Sequence, residues 1–429
     1  MVFDLGIGCA TLKEIKKIIS AEGQVPDSDV LRIVTHSSEV QKGDLFCVLG
    51  DAKGYIDEVV ARGASALLSP FDLSFALPSL LVKDVSAALG KWAAAVLKGH
   101  PARRIAITGS VGKTGTKNAL SHLFSSRLRT HANIGNYNNL LGVSFTVLSM
   151  PKDTEILITE MGTNQKGEIA ALSEIVEPSD AVITCIGTAH LAAFLSREEI
   201  AKEKLGILRG MRGGRLFYPF DEPLLREASF GEVTPVAVHP YKKYEENEAK
   251  ARAVGFAQAL GVAYGITGKN AENILSECAL RAERRVLIQK AGITLIDDAY
   301  NASPESMRCA FRFLEAEASG RRILALGDML ELGGASHALH VEIGKAAACY
   351  ADLIFLYGNF KEAYAHGIKA TRSDTPLYLI EAKSEKEAAY AILPQLKRGD
   401  TVLFKSSNAA GGKKILSALI GLLDASPPR

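Results

Sequence analysis

The 429-residue chain has no cationic excess, no long apolar run and no paired cysteines. Lysine and arginine number 50 against 48 acidic residues, a net of +2, which gives no electrostatic footprint for nucleic acid or an anionic membrane. No stretch reaches the roughly 18 uninterrupted apolar residues that would suggest a membrane-spanning helix. The six cysteines (Cys9, Cys47, Cys185, Cys278, Cys309, Cys349) lie far apart, with no CxxC and no metal-ligand spacing. That pattern belongs to a reducing compartment. Internal repeats and low-complexity tracts are absent, and the first residues carry no basic segment leading into an apolar core. The expectation is a soluble cytoplasmic protein, with no nucleic-acid partner and no membrane insertion. With 47 % hydrophobic and 23 % charged residues, the chain has the composition of a folded globular protein.

A length of 429 residues implies two or three domains, and the patterning divides into three blocks. Residues 1–98 hold short apolar runs (LFCVLG at 45–50, ALLSP at 66–70, ALPSLLVKD at 76–84) and close on the helical pattern VSAALGKWAAAVL at 85–97. They read as a small N-terminal α/β domain. Residues 99–284 alternate β-like runs (RIAITG, EILITEMG, DAVITCIG) with helical stretches, including an alanine-rich one at 245–262. Such alternation predicts a parallel sheet with crossover helices. Residues 285–429 repeat the pattern with ITLIDDAY, RRILALGD, LIFLYGN and DTVLFKSS, a Rossmann-like doubly wound domain. The fold class is therefore α/β in three domains.

The strongest chemical signal is the TGSVGKT run at 108–114, between a strand-like RIAI and a helix-like TKNALSHLF. Glycines at 109 and 112 let backbone N–H groups converge on phosphate oxygens, and the following helix N-terminus adds its positive end. Lys113 would neutralise phosphate charge and Thr114 would ligate Mg²⁺, as in a phosphate loop. A tight glycine turn before a helix is the bland alternative, and the Lys-Thr pair argues against it. Glu160 and His190 each emerge at the end of an apolar run, where ligands bind in open α/β sheets. Alone each would be an ordinary cap or turn residue; beside Thr114 they form a metal set. GNYNN at 135–139 concentrates amides that suit either a ligand or a turn. In IDDAYNASP at 296–304 one carboxylate would cap the next helix and the other bind ribose, with the roles left open. Asp328 in LGDMLELG is either a helix cap or a ligand contact.

In order, TGSVGKT, GNYNN, EMGTNQKGEI, IGTAHL, IAKEK, IDDAYNASPESM and LGDMLELG resemble the Mur ligase family, and VTHSSEVQKGDLFCVLGD at 34–51 is similar to its UDP-recognition segment. The resemblance spans nearly the whole chain. It implies a central P-loop ATPase-like domain and an ATP- and Mg²⁺-dependent carboxylate–amine ligase. Such an enzyme adds D-alanyl-D-alanine to a UDP-linked muramoyl tripeptide through an acyl phosphate, in peptidoglycan precursor synthesis, and works as a monomer. By the same resemblance Lys113, Glu160, His190 and Lys204 are catalytic, with Lys204 carbamylated. Thr114, Glu160, His190 and Lys204 hold metal. Gly109, Ser110, Gly112, Lys113, Thr114, Thr116, Asp298 and Asn301 contact the nucleotide, and Ser37, Asn136 and Asn139 the acyl substrate.

The chain departs from the family at several places. His36-Ser37-Ser38 stands where Asp-Ser-Arg is usual, Gly206 where a glutamate follows the modified lysine, and Lys405-Ser406-Ser407-Asn408 where Lys-Gly-Ser-Arg is usual. The adenine-contacting amides have only Asn247 as a counterpart. These departures fall on substrate and adenine recognition. They leave open a ligase for another acyl substrate, or a homologue that binds nucleotide without ligation. Closure of the third domain on the second, about an exposed hinge near 281–287, is the expected motion.

Overall fold

The computed structural model describes residues 1–50, 52–189, 191–244, 248–277, 285–372 and 374–425. Three sheets organise them. The first runs in the order Val2–Asp4, Arg32–Val34, Leu45–Cys47, Ala66–Ser69, Ser79–Leu81 and is parallel except for its first pair. The second has six parallel strands in the order Thr234–Val238, Arg215–Pro219, Asp180–Ile183, Arg103–Thr108, Ile156–Glu160, Thr130–Ala132. The third runs Val286–Lys290, Ile293–Asp298, Thr401–Lys405, Arg322–Leu326, Leu353–Leu356, Leu377–Leu379, with only its first strand antiparallel.

Apart from Ser79–Leu81, which forms the far edge of the first sheet, the strands singled out from apolar runs are inner ones, buried on both faces and so continuously hydrophobic. Those without such a signal are edge or near-edge strands; Thr234–Val238 carries Pro235 and is largely exposed, as proline requires of a strand. Helix Val85–Leu97 starts on Asp84, whose carboxylate accepts from Ala87 N. It buries Leu89, Trp92 and Ala93 in a core shared with Phe145, Leu148 and Met150 of the central unit. Phe3 stacks on Phe145 at 4.3 Å between ring centres, so the first unit is packed into the second rather than tethered to it.

The hinge expectation is corrected in part. Residues 281–284 lie outside the described residues, and Val286 is exposed, but Arg285 and Leu287 are half-buried and the segment is not a lightly packed linker. Val286–Lys290 pairs along Ile293–Asp298, and Arg285 is paired with Asp298 while lying 4.2 Å over the Phe313 ring. The chain entering the third unit is captured as its edge strand because the Ile293–Asp298 strand offers an unpaired edge.

The order of the central sheet decides where the site forms. Arg103–Thr108 lies between Ile156–Glu160 and Asp180–Ile183, so successive crossovers leave it in opposite directions and open a crevice at the strands' carboxyl ends. The loops after Thr108, Glu160 and Ile183 converge there. In the third sheet, Asp298 and Leu326 both register with Lys405, which brings a second set of loops together facing the first.

Candidate active site

The loop after Thr108 wraps a helix N-terminus, as the glycines require. Gly109 has φ +143°, and a Cβ there would stand 2.0 Å from Thr184 Oγ1. Gly112, at φ +90°, begins helix Lys113–Ser125. The neighbouring strand end braces the loop: Thr184 Oγ1 donates to Val111 O (2.6 Å), Ser110 N to Cys185 O (3.1 Å) and Gly187 N to Ser110 Oγ (2.9 Å). Lys113 folds back, its ammonium donating to Gly109 O at 2.7 Å.

Glu160 is 1 % exposed, and its carboxylate receives the Thr114 hydroxyl (2.8 Å) and the Asn138 amide (2.8 Å). Asn133 fixes the Glu160 backbone in both senses, accepting from its N–H at 2.8 Å and donating to its carbonyl at 3.1 Å. Thr114 and Glu160 thus present hard oxygen donors side by side, the donor set a magnesium ion takes. His190 and Asn247 lie outside the described residues.

Lys204 is the principal surprise of burial. On helix Arg197–Leu205, whose Ser196 Oγ caps Glu199 N, it is 2 % exposed rather than on a solvated face. No hydrogen-bond acceptor faces its ammonium among the described residues. Burial, then the nearby positive charge of Lys113, pushes its pKa down from 10.5 to about 7. A large fraction of Lys204 is therefore neutral amine near neutral pH.

Lys113, Thr114, Asn138 and Glu160 line one cavity of about 670 Å³, shared between the central and third units, while Lys204 is buried outside its lining. Across it stand Asp298, Asn301 and Lys405. The Asp298 carboxylate is taken by Arg285 (2.7 Å) and Lys405 (3.1 Å), and Asn301 gives its carbonyl to Lys405 (2.6 Å) while staying exposed. Asp298 therefore organises two cations rather than offering a free carboxylate. Burial holds the Lys405 ammonium below its usual pKa.

Other expectations are redistributed. Asn136 reaches across the junction to the Tyr300 hydroxyl (3.1 Å). Asn139 lines the cavity but spends its side-chain oxygen capping Gly142 N of helix Leu140–Leu148 (2.9 Å); Asn138, its neighbour, is the amide that holds Glu160. Thr116 is buried in its helix and does not reach the cavity wall, because it sits past the first turn. Ser37 is in the first unit, outside this cavity, beside a His36–Ser38 hydrogen bond of 2.8 Å. No carboxylate caps the helix after IDDAYNASP: Ser303 and Ser306 form a capping box, and Asp297 accepts from Ala299 N. Asp328 accepts from Asn359 N and Phe360 N (both 2.9 Å), fixing the turn before helix Lys361–Thr371.

Contacts between the two facing units are specific. Glu305 Oε1 accepts from both Thr188 N (2.8 Å) and Thr188 Oγ1 (3.0 Å), Ala192 N donates to Glu331 O (2.9 Å), and Arg312 pairs with Glu248. Sequence reasoning missed Asn138, Arg285, Lys405 and Glu305 as members of the site. Lys405 had a legible signal, a cation at a strand's carboxyl end; Arg285 and Glu305 had none, because their partners are distant in the chain.

Comparison with known proteins supplies the last observations. Residues 107–276 match the Mur ligase middle domain and residues 281–408 the Mur ligase, glutamate ligase domain. The UDP-N-acetylmuramoyl-tripeptide–D-alanyl-D-alanine ligase of Bacillus subtilis is 32 % identical over 96 % of this chain and 98 % of its own; that of Escherichia coli is 30 % identical over 95 % and 98 %. A crystal structure of MurF from Acinetobacter baumannii aligns with TM-score 0.85 at 27 % identity, covering 96 % of this chain and 99 % of that one. MurF from Thermotoga maritima, in complex with ADP, aligns with TM-score 0.76 at 26 % identity over 92 % and 98 %.

Proposed function

The chain belongs to the Mur ligase family, and from that premise we propose that it joins D-alanyl-D-alanine to a UDP-N-acetylmuramoyl-tripeptide at the expense of ATP, in peptidoglycan precursor synthesis. The observation that carries the reading is the cavity in which Lys113, Thr114 and Glu160 of the central unit face Asp298 and Lys405 of the third. The tripeptide's terminal carboxylate attacks the γ-phosphorus of ATP, giving an acyl phosphate and ADP. The dipeptide's amine then attacks the acyl carbon, and the tetrahedral intermediate expels phosphate. Lys113 swings from Gly109 O to the transferring phosphoryl group and offsets its growing charge. The loop N–H groups orient the phosphates, and Lys405 supplies positive charge from the opposite wall.

Thr114 and Glu160 would hold a magnesium ion, with His190 beside them; bound there, it would supply charge neutralisation at the phosphate oxygens. The half-neutral Lys204 amine is chemically ready to take up CO₂ as a carbamate, which would replace a buried cation by an oxygen donor. Docking of Glu305 on Thr188 keeps water from the acyl phosphate. This reading treats 1–98, 99–284 and 285–429 as the substrate-handle, ATP and closing domains of a cytoplasmic monomer. Asn136 and Ser37 contact the acyl substrate in it, and Asn301 contacts the nucleotide.

The first-domain sequence His36-Ser37-Ser38 favours one competing outcome, a ligase of the same chemistry with a different acyl handle. The test measures ATP consumption and product mass with UDP-muramoyl tripeptide and D-alanyl-D-alanine. A product heavier by the dipeptide residue supports the reading. ATP consumption only with a different carboxylate refutes the substrate, and none with any pair of substrates refutes ligation.

A further inference from the structure

Helix Glu168–Val176 begins without a cap of its own. Gly167 flanks it at φ +88° with no side chain, so its first N–H groups need acceptors from elsewhere. Glu203 provides them from another helix. Its Oε2 accepts from Gly167 N (2.6 Å) and its Oε1 from Ile169 N (2.9 Å), while the Thr163 hydroxyl, 3.3 Å from Oε1, donates within the turn to Gln165 O at 2.7 Å. Only 8 % exposed, this carboxylate accepts from two backbone N–H groups at the positive end of the helix. A second tie lies farther along: Ser173 Oγ donates to Ile207 O and accepts from Gly210 N (3.1 Å). Between them, Gly206 packs so closely on the same helix that a Cβ would stand 3.1 Å from Ala170 N.

The braced turn is part of the cavity. Thr163 and Asn164 line its wall on the side of Asn136–Asn139, and Gly162 N donates to Asn138 O at 2.8 Å. The braces of the phosphate loop come instead from Thr184, Cys185 and Gly187. Glu168 Oε2 holds the start of the turn through Asn164 N (2.6 Å) and Gln165 N (3.0 Å), and Glu203, which immediately precedes Lys204, ties the Gly167 end of the turn to the lysine's helix. We propose that Glu203 is a positioning residue that locks the Thr163–Gly167 turn and the Lys204 helix in one register, preforming the acyl-substrate wall independently of the nucleotide site. The name of the acyl substrate rests on the ligase reading above.

The experiment compares steady-state kinetics of the parent, Glu203→Gln, Glu203→Asp and, as a control, Glu199→Gln. Glu199 sits one turn earlier on the same helix and pairs with Lys166 at the surface (2.7 Å). In Glu203→Gln an amide NH₂ must face the N–H groups that the carboxylate received. The expected result is a KM for the UDP-tripeptide raised by about tenfold or more, with the KM for ATP within about threefold of the parent. Glu203→Asp, which keeps the charge with a shorter reach, should recover part of the loss, and it carries the same test should Glu203→Gln fail to fold. Glu199→Gln should match the parent. Unchanged kinetics, or a parallel rise in both KM values, would overturn the proposal. Absence of UDP-tripeptide turnover in the parent would strike the ligase reading instead. The positioning role is then read from amide exchange of residues 163–169, which must accelerate in Glu203→Gln and stay unchanged in Glu199→Gln, or the proposal falls.

Discussion

Replacing Lys204 by methionine should stabilise the protein while abolishing its activity. The side chain is 2 % exposed and finds no hydrogen-bond acceptor among the described residues, and the charge of neighbouring Glu203 offsets only part of the burial of its ammonium. Its pKa falls from 10.5 to about 7, with burial the larger cause and Lys113 the next. At about 1.4 kcal/mol per pH unit, that fall corresponds to a folding cost of about 5 kcal/mol while the group is charged in both states. The sign follows from proton binding. Below pH 7 the folded and unfolded chains both carry the proton and the full cost applies. Between pH 7 and 10.5 the unfolded chain binds more protons, so stability rises with pH and the cost fades. Methionine fills similar space without charge. Lys204→Met should therefore exceed the parent in melting temperature most at pH 6–7, and by pH 9 about 3 kcal/mol of that advantage should be gone. For a cooperative unit of this size that is roughly 6–12 °C. The assay is thermal denaturation of both proteins across pH 6–9.5 in buffers purged of CO₂. Adding ¹³C-bicarbonate to the parent should produce a carbamate carbon resonance that the variant lacks, and should raise the parent's melting temperature. An advantage that does not change with pH, or a variant less stable than the parent at pH 6.5, would refute the assignment of Lys204 as a buried cation that destabilises the fold.

Lys113→Ala should fold normally and lose ligation by about 100-fold or more, since its ammonium lies at the cavity wall rather than in the core; a folded variant with near-parental turnover would remove the phosphate-loop assignment. Glu305→Ala deletes the acceptor of two Thr188 hydrogen bonds, at a cost of about 1–3 kcal/mol to docking of the third unit. Small-angle scattering should show the unliganded variant expanded relative to the parent, and an ATP analogue with acyl substrate should restore compactness; identical radii throughout would rule against closure. His340 is fully buried, accepts from Met329 N at Nε2 (2.9 Å), and has its pKa lowered mainly by burial. Protonation must break that bond, so stability should fall as the pH drops below the ordinary histidine value of about 6.5, and His340→Gln should flatten that part of the acid profile in a urea titration.

The loop at 108–114 was legible because its geometry is local: glycines 109 and 112, Lys113 and Thr114 lie within one short run between a strand and a helix, and nothing distant can substitute. The inner strands were legible for a similar reason, since burial on both faces imposes an unbroken apolar run. Asn139 and Asn138 could not be told apart. Both follow the same turn, and only the helix that starts at Leu140 claims one of them for a cap and leaves the other facing Glu160. The helix after IDDAYNASP illustrates the same limit, where two carboxylates and two serines competed for one cap and the serines took it.

The α/β class, the order of the units, the glycine-rich loop before helix Lys113–Ser125 and the family could all be read from the chain, because each rests on neighbours in it or on a collinear series of motifs. Tertiary structure decided the electrostatics. Lys204 reads as an ordinary helical lysine until the packing of its helix removes the water around it. Asp298 reads as a free acid until Arg285 and Lys405 arrive from other strands. Glu203 reads as a surface charge until a capless helix is laid against it. Charge, protonation and hydrogen-bond commitment depend on what is excluded from around a group, and that is settled only when segments far apart in sequence close on one another.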